Sequence, residues 1–319
     1  MKISIIIPYK SVSENLIESV EHCKKINYPD FEIILLPDNH EPHPFSEVIV
    51  IPTGPLPPSH KRDIGAQKAG GDLLAFIDDD AYPTKEWLTN ANKNFISSDI
   101  AAVGGPGVTP DNEPFMHKVS GLIFSSFLAS GPFSSRYSPK KKTTVDEHPS
   151  CNFIIRKSVF NEIGGFSTNL WPGEDTKLCL GITKQLKKKI IYDPEVVVFH
   201  HRRKFPSNHL LQVWKYGALE AQFMKKDPEL FNIKDRLFHL VPTLSVLGFF
   251  LGLILSLIYF KIKLLFLTTL SIYLIITLFS SIIVSYRKDL AATPFVFFGI
   301  ILTHLSYGLG FLRGVISEG

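Results

Sequence analysis

Cysteine is scarce in this chain, which has three cysteines among 319 residues. Cys23, Cys151 and Cys179 lie far apart and are odd in number, so they form neither a disulfide framework nor a Cys-x-x-Cys metal or redox pair. We therefore expect reduced thiols with a structural role. Reduced thiols are typical of a domain that faces the cytosol.

The chain also lacks the glycine-rich signatures of the common nucleotide-binding folds. No Gly-x-Gly-x-x-Gly follows the first apolar run, and no Gly-x-x-x-x-Gly-Lys-Ser/Thr occurs anywhere. The sequence therefore lacks the motif that would best support a dinucleotide-binding fold or a P-loop fold. Zinc-finger spacing and RNA-binding aromatic motifs are missing as well, and the net charge of +4 is mild. Nucleic acid is thus not an expected partner.

Charged residues are almost absent from three long stretches near the C-terminal end, residues 237–260, 262–286 and 294–312. A helix needs about 20 apolar residues to cross the hydrocarbon core, so the first two stretches are long enough and the third is close to the minimum. His304 and the glycines of the third stretch would also suit an interfacial or re-entrant helix. The alternative, helices buried in a soluble core, is disfavoured by these lengths and the low charge. We predict a transmembrane region of about three helices over residues 237–319.

The basic residues that flank these stretches predict their orientation, because loops rich in Lys and Arg stay in the cytosol. With the N-terminal part inside, six flanking basic residues are cytosolic and three are outside. The six are Lys225, Lys226, Lys234, Arg236, Arg287 and Lys288, and the three are Lys261, Lys263 and Arg313. We therefore predict a multi-pass protein of the cell membrane with a cytosolic N-terminal domain.

The N-terminal part has the pattern of an α/β domain, in which short apolar runs alternate with helical segments. Continuous apolar runs are typical of strands covered on both faces. The first run, which ends at Pro8, is too short for a signal peptide. We predict strands over Ile3–Pro8, Phe31–Leu36, 48–51 and Leu73–Ile77, and helices over 13–26 and 62–69, with Ser13 as the first N-cap.

Polar residues gather at the carboxyl ends of the predicted strands, where α/β sheets bind ligands. Tyr9 follows the first strand, Asp38 follows the second, and Asp78, Asp79 and Asp80 follow the fourth. Adjacent carboxylates repel one another. A hard cation such as Mg²⁺ or Mn²⁺ relieves that repulsion, because it prefers oxygen ligands. The alternative is an acidic turn that caps the next helix.

Two later segments, WPGEDTKLCLG and VVVFHHRR, carry further candidate residues. Glu174 and Asp175 begin a predicted helix, whose dipole stabilises a carboxylate anion that is ready to accept a proton; an ordinary N-cap is the alternative. In the second segment, His200 could complete a metal shell, and Arg202 or Arg203 could neutralise a departing diphosphate. A surface cluster at a strand end is the alternative there.

Taken together and in this order, these segments resemble family 2 of the glycosyltransferases. The match covers about residues 2–225 and includes SIIIPYK, HKRDIGAQKAGGDLLAFIDDDA, CNFIIRKSVFNEIGGF, WPGEDTKLCLG and VVVFHHRR. The aspartate triplet and the Glu-Asp pair are its specific parts. The resemblance implies a GT-A-type nucleotide-sugar-binding α/β domain over residues 1–204, with a mixed, mainly parallel sheet.

The resemblance also implies roles for individual residues. Asp175 would be the catalytic base with Glu174 beside it, and Asp80 would hold Mn²⁺ or Mg²⁺ on the diphosphate, with His200 as a metal or phosphate contact. The nucleotide-sugar-binding residues would be Pro8, Tyr9, Asp38, Arg62, Asp63, Asp78 and Asp79, although the family more often has Asn at position 63. Contacts to the acceptor or the diphosphate would be Asn152, Trp171, Arg202 and Arg203.

The implied reaction is an inverting single displacement from a nucleotide-sugar donor to an acceptor hydroxyl. A polyprenyl-phosphate glycosyltransferase is one alternative, although the Glu-Asp motif suits a hydroxyl acceptor better. A processive polysaccharide synthase is another, but the region HLLQVWKYG lacks the Gln-x-x-Arg-Trp signature. A non-enzymatic membrane scaffold is the third, and it would be expected to have degraded carboxylate motifs.

Residues 205–236 are predicted to connect the domain to the membrane. Apolar residues recur at helical spacing in FPSNHLLQVWKYGALEAQFM, which favours an amphipathic helix in the bilayer interface; packing on the catalytic domain is the alternative. The stretch 105–145 is expected to contain an acceptor loop or a membrane-facing segment. Because an anchor needs only one span, we expect a membrane-held acceptor, either a lipid-linked saccharide or a glycolipid.

Overall fold

The computed structural model of the protein describes residues 1–40, 42–166, 173–226, 228, 233–286 and 288–317. Its strands are β1 (Ile3–Pro8), β2 (Phe31–Leu36), β3 (Ile49–Val50), β4 (Leu73–Ile77), β5 (Ala81–Pro83), β6 (Ile100–Gly104), β7 (Gly107–Val108), β8 (Thr143–Val145), β9 (Asn152–Arg156), β10 (Lys189–Tyr192) and β11 (Val198–His200). Its α-helices are α1 (Glu14–Lys24), α2 (Pro58–Lys68), α3 (Trp87–Asn92), α4 (Phe115–Ser125), α5 (Phe127–Ser130), α6 (Lys157–Glu162), α7 (Glu174–Leu180), α8 (Ser207–Lys226), α9 (Ile233–Ser256), α10 (Phe260–Tyr286) and α11 (Thr293–Ile316).

The chain divides into two compact units. Unit 1 comprises Met1–Pro110 and Ser135–His201, and unit 2 comprises Asp111–Ser134 and Arg202–Gly319. This division differs from a linear boundary at residue 204, because the segment Asp111–Ser134 groups with the C-terminal helices. That segment lies within the stretch 105–145, in which an acceptor loop or a membrane-facing segment is predicted.

Unit 1 is built on an eight-stranded sheet with the order β3-β2-β1-β4-β9-β6-β10-β8. The pairs β1–β2, β1–β4, β2–β3 and β6–β10 are parallel, whereas β9 is antiparallel to both β4 and β6, and β8 is antiparallel to β10. The sheet is therefore mixed, as the resemblance implies. Both of its faces are covered, which confirms the predicted α/β architecture.

Alternate side chains of β1 enter two different cores, because successive residues of a strand point to opposite faces. Ile5 and Ile7 pack in the core that contains α1 and α3. Ile6 packs in the opposite core, beneath α2, α6 and α7. Each of these isoleucines is fully buried, which stabilises the fold by about 1.5–3 kcal/mol per side chain. At the start of α1, Ser13 Oγ accepts the Leu16 N–H at 3.2 Å, which confirms the predicted N-cap.

A second sheet of three strands, β5-β11-β7, extends from the aspartate triplet. Strand β5 begins at Ala81, directly after the triplet, and its antiparallel partner β11 places His200 opposite Ala81. The predicted strand in VVVFHHRR is therefore present. Its pairing with β5 places a histidine from late in the chain beside carboxylates that lie about 120 positions earlier.

Among the residues of unit 2 that the structure describes, three helices are long and apolar enough to cross a membrane: α9, α10 and α11. They match the three predicted apolar stretches, although α9 begins four residues before position 237 and ends at Ser256. Helix α8 occupies the predicted connector and packs closely along α11. Glycines allow this approach: a Cβ on Gly217 would lie 2.9 Å from Phe311 N, and a Cβ on Gly314 would lie 2.9 Å from Ala218 Cα.

Candidate active site

Three polar positions meet at one edge of the large sheet, because β1 pairs in parallel with both β2 and β4. In this register Pro8 lies opposite Leu36, so the residues after β1 and β2 are neighbours. Tyr9 N–H donates to the Leu36 carbonyl at 3.1 Å. Asp38 and Asp78 follow the ends of β2 and β4. The structure thus brings together the strand ends from which the sequence predicts a cleft.

A buried lysine on α2, which sequence reasoning missed, joins two of these strand ends. Lys61 Nζ donates to Asp38 Oδ1 at 2.5 Å, to the Tyr9 carbonyl at 2.5 Å and to the Leu36 carbonyl at 3.2 Å. Its side chain is 4% exposed. The ammonium group therefore fixes the position of Asp38 and offsets its charge. The local sequence offers no signal that separates Lys61 from the exposed Lys68 on the same helix.

The neighbouring Arg62 bridges two carboxylates from distant parts of the chain. Its Nη2 lies 2.5 Å from Asp78 Oδ1, and its Nη1 lies 3.1 Å from Glu174 Oε1. The guanidinium also stacks over the Phe166 ring, with Cζ 5.6 Å from the ring centroid. Burial lowers the pKa of Arg62, but the carboxylates of Asp78 and Glu174 raise it further. Arg62 therefore remains a cation that connects the end of β4 to the start of α7.

Glu174 and Asp175 begin α7, as predicted, but their surroundings differ. Burial of Glu174, together with the adjacent charge of Asp175, raises the pKa of Glu174 to about 7, even though Arg62 acts in the opposite direction. Asp175 is partly exposed, and its Oδ1 accepts the Thr176 N–H at 2.9 Å. Loss of solvent therefore makes the Glu174 anion less stable than the helix terminus alone would suggest. Asp175 is the member of the pair that solvent reaches.

Asp78, Asp80 and His200 form a group that could hold a metal ion, with one ligand atom from each residue within 4.8 Å of the others. His200 Nε2 lies 3.1 Å from Asp80 Oδ1. Burial alone would lower the pKa of His200, but the Asp80 carboxylate raises it to about 10. Carboxylates suit Mn²⁺ and Mg²⁺, and imidazole binds many transition metals, so the donor set fits a divalent ion such as Mn²⁺. The group includes Asp78, which the resemblance places on the nucleotide-sugar.

Asp63 and Asn152 make contacts different from those the resemblance implies. Asp63 Oδ1 accepts the Phe166 N–H at 2.9 Å and so holds the turn that follows α6. Asn152 is fully buried; it accepts the Trp87 indole N–H at 2.8 Å and donates to the Val196 carbonyl at 2.7 Å. Because no surface of Asn152 is exposed, it ties β9 to its neighbours and does not line an acceptor site.

The other predicted contacts are dispersed. Asp79 is partly exposed beside Asp78, and Pro8 is buried at the end of β1. Arg202 and Arg203 belong to unit 2, where the Arg202 N–H donates to Glu113 Oε1 at 3.1 Å. Trp171 lies outside the described residues.

Comparison with known proteins supports this description. The family model described as "Glycosyl transferase family 2" matches residues 4–164, half of the chain. The pre-mycofactocin glycosyltransferase of Mycobacterium tuberculosis is 25% identical over 173 residues, which cover 54% of this chain and 36% of that protein. The matched region thus spans about a third of the length of that relative. The glucosyl-dolichyl phosphate glucuronosyltransferase of Haloferax volcanii is 24% identical over 220 residues, 63% of this chain and 69% of that protein.

A solved structure shares the fold along the whole chain. The mannosyltransferase PcManGT from Pyrobaculum calidifontis, solved with GDP-Man and Mn²⁺, aligns with a TM-score of 0.59 and 13% identity. The alignment covers 100% of this chain and 88% of that protein. Because the identity is only 13%, this likeness establishes the GT-A fold and nothing about the substrates.

Proposed function

Because the chain belongs to glycosyl transferase family 2, we propose that it moves a sugar from a nucleotide-sugar donor to a hydroxyl of a membrane-associated acceptor. The transfer inverts the configuration of the anomeric carbon and depends on a divalent metal ion. The proposal rests on one observation, which is that three features lie together at one edge of the sheet. They are the Asp78–Asp80–His200 group, the Arg62 bridge and the Glu174–Asp175 pair.

In the proposed reaction Asp175 acts as the general base. The acceptor oxygen forms a bond to the anomeric carbon while the bond from that carbon to the diphosphate oxygen breaks. The hydroxyl proton moves to the Asp175 carboxylate, and the electron pair of the broken bond leaves with the diphosphate. Asp175 suits this role because it is partly exposed, whereas Glu174 is buried and its pKa is raised. Glu174 instead positions Arg62 and shapes the acceptor side.

Asp80, Asp78 and His200 would hold the metal. A bound Mn²⁺ or Mg²⁺ would supply positive charge to the donor diphosphate. Asp38, which Lys61 fixes in place, and Tyr9 would lie along the base and ribose of the donor, and Asp79 would contact the sugar. Arg202 and Arg203 would offset the charge of the departing diphosphate.

A lipid-linked saccharide or glycolipid is the proposed acceptor class. Two observations support it. Unit 2 carries three helices of membrane-spanning length and composition, and the name of the Haloferax relative includes glucosyl-dolichyl phosphate. The excess of Lys and Arg in the flanks on the catalytic side favours a cytosolic position for unit 1.

Substitution of the base tests the reaction. In Asp175→Asn we expect turnover to fall about 10²–10⁴-fold, the usual contribution of a general base, with nucleotide-sugar affinity little changed. Asp146→Asn is the matched control, because Asp146 is exposed and pairs with Lys184. If Asp175→Asn retains more than roughly a tenth of wild-type turnover, Asp175 is not the base.

The acceptor class is tested separately with the full-length protein. Transfer to lipid-linked saccharides or glycolipids embedded in vesicles should exceed transfer to the same saccharides without lipid. Equal rates on both acceptors would contradict a membrane-held acceptor and would leave the assignment of Asp175 intact.

A further inference from the structure

Helix α10 provides a depth scale for unit 2. It has 27 residues and is therefore about 40 Å long. Residues 257–259 join it to α9, and the two helices pack antiparallel, with the rings of Phe249 and Phe266 5.7 Å apart. Lys288, which follows α10, and Arg236, in the first turn of α9, therefore lie at the same end of this pair, called here the Lys288 end. If α10 crosses a bilayer, each residue counted back from Lys288 lies about 1.5 Å deeper.

The segment Asp111–Ser134 enters unit 2 at the Lys288 end. Lys288 Nζ lies 2.8 Å from Asp111 Oδ1. Four positions later α4 begins with Phe115, whose ring packs edge-on against the ring of Phe295, with centroids 5.4 Å apart. Phe295 is in the first turn of α11, and only a short link separates that turn from the end of α10. The start of the segment is therefore level with the end of α10.

Helix α4 then packs along α11 as it leaves the Lys288 end. Phe115 contacts Phe295, and further along both helices Ile123 contacts Gly299, where an added Cβ would lie 2.2 Å from Ile123 Cδ1. Later residues of α4 thus meet later residues of α11, so the two helices run in the same direction. Ile123 is fully buried in a core that includes residues of α11. Helix α4 is therefore part of the helical bundle of unit 2.

The end of α4 lies well below the Lys288 end. Ser126, which directly follows α4, has its Oγ 2.8 Å from Ser280 Oγ on α10. Ser280 precedes Lys288 by eight positions, which is about 12 Å along the helix axis. The length of α4 agrees with this depth, because 11 residues span about 16 Å. The hydrocarbon core of a bilayer is about 30 Å thick, so the segment enters the core without crossing it.

The backbone groups of the turn between α4 and α5 are paired within the protein, as a turn at this depth requires, because lipid offers no hydrogen-bond partner. Ser126 Oγ accepts the Leu128 N–H at 3.2 Å, and the Ser126 carbonyl accepts the Ser130 N–H at 3.0 Å. His304 Nε2 donates to the Leu128 carbonyl at 2.8 Å, and its Nδ1 lies 2.9 Å from the Tyr273 hydroxyl. An ionisable residue in a membrane helix needs a reason, and His304 completes this turn.

The segment then returns to the end at which it entered. Gly131, with a φ of +53°, follows α5 and allows the chain to change direction. The ring of Phe133 lies 6.0 Å from the ring of His239 on α9. His239 follows Arg236 by three positions, about 4.5 Å along the helix axis, and is thus close to the Lys288 end. The chain leaves this part of unit 2 at Ser134.

One large apolar side chain is exposed where the segment is deepest. Phe127, between the buried Ser126 and the half-buried Leu128, is 71% exposed. Phe279 of α10, next to Ser280 and therefore at the same depth, is 62% exposed. Exposed apolar rings at this level of a membrane helix are solvated by acyl chains.

We propose that Asp111–Ser134 is a re-entrant membrane segment. Helices α4 and α5 enter the bilayer from the Lys288 end, turn at Ser126 inside the hydrocarbon core and return to the same face. The ring of Phe127 then lies against the hydrocarbon chains of membrane lipids. This arrangement requires that α10 crosses the bilayer, rests on contacts within unit 2 and does not depend on the proposed reaction.

Spin labels on single introduced cysteines test the depth of the segment in the full-length protein, reconstituted into vesicles. The native cysteines Cys23, Cys151 and Cys179 are buried, so the background labelling should be low. Molecular oxygen concentrates among the acyl chains, whereas a polar nickel chelate stays in water. The collision rates of each nitroxide with these two reagents therefore distinguish a label in lipid from one in water and from one enclosed by protein.

We expect Phe127→Cys to behave like Phe279→Cys, the matched position on α10, with strong oxygen collisions and loss of nickel access. Asn112→Cys, exposed at the entry of the segment, should keep full nickel access, and Tyr286→Cys should lie between these limits. Nickel access at Phe127→Cys equal to that at Asn112→Cys would place the turn outside the bilayer and overturn the proposal. So would a Phe127→Cys label that meets neither reagent, or full nickel access at Phe279→Cys, because α10 would then not cross the membrane.

Discussion

Replacement of Lys61 by methionine tests whether the buried ammonium group organises the donor side of the site. Methionine is unbranched and nearly as long as lysine, but it leaves the Asp38 carboxylate and the carbonyls of Tyr9 and Leu36 without their buried donor. Removal of one partner of a buried ion pair typically costs about 3–5 kcal/mol. At about 2 °C per kcal/mol for a chain of this size, the midpoint of thermal unfolding should fall by roughly 6–10 °C.

The assay is thermal unfolding of the detergent-solubilised protein together with donor binding by calorimetry. Lys10→Met is the matched control, because Lys10 is exposed at the same strand end and its loss should leave the midpoint unchanged. In a Lys61→Met, Asp38→Leu double variant no buried charge is left unpaired, so part of the lost stability should return. A Lys61→Met midpoint within about 2 °C of wild type would refute the argument that this buried ion pair stabilises the fold.

Three further predictions concern the metal, a buried histidine and a buried amide. Activity should vanish in EDTA and return with Mn²⁺ or Mg²⁺, and Asp80→Ala should bind nucleoside diphosphate more weakly; full activity in chelator would contradict a metal site. Burial lowers the pKa of His148 to about 3, so its neutral form favours folding above pH 6.5 and stability should fall as the pH drops from 6.5 towards 3. His148→Gln should flatten this decline in thermal midpoint, whereas a slope equal to that of wild type would count against it. Asn152→Ala should lower the midpoint by the cost of unpaired buried groups, about 1–3 kcal/mol each, with donor affinity retained once folded; a selective loss of acceptor use would instead return Asn152 to the acceptor site.

Much of unit 1 could be predicted from the sequence, because its signals are local. Continuous apolar runs mark β1, β2 and β4, and Ser13 precedes a helical pattern that it caps. The position of the aspartate triplet after β4 follows from the same pattern, because polar residues resume where a buried strand ends.

Lys61 could not be predicted in this way, because its partners come from tertiary contacts. Its carbonyl partner Tyr9 lies 52 positions away, and its carboxylate partner Asp38 lies 23 positions away. No periodicity distinguishes it from an exposed lysine on the same helix. The bridge from Arg62 to Glu174 joins residues 112 positions apart and is equally invisible to local pattern.

The sequence predicts only in part that Asp111–Ser134 belongs to unit 2. Its helix α4 is apolar but has 11 residues, too few to cross a membrane. Its membership of unit 2 depends on packing: Val119 and Ile123 share a core with Val296 and Ile300 of α11. A short apolar helix carries no information about which partner will cover it.

The guanidinium of Arg62 has a thermodynamic consequence for substrate binding. One cation serves both Asp78, at the end of β4, and Glu174, at the start of α7. Any ligand that withdraws Asp78 from this shared cation leaves more of its charge to Glu174. Linkage between two sites is reciprocal, so we expect a molecule bound beside Glu174 and one bound at Asp78 to change each other's affinity by the same factor.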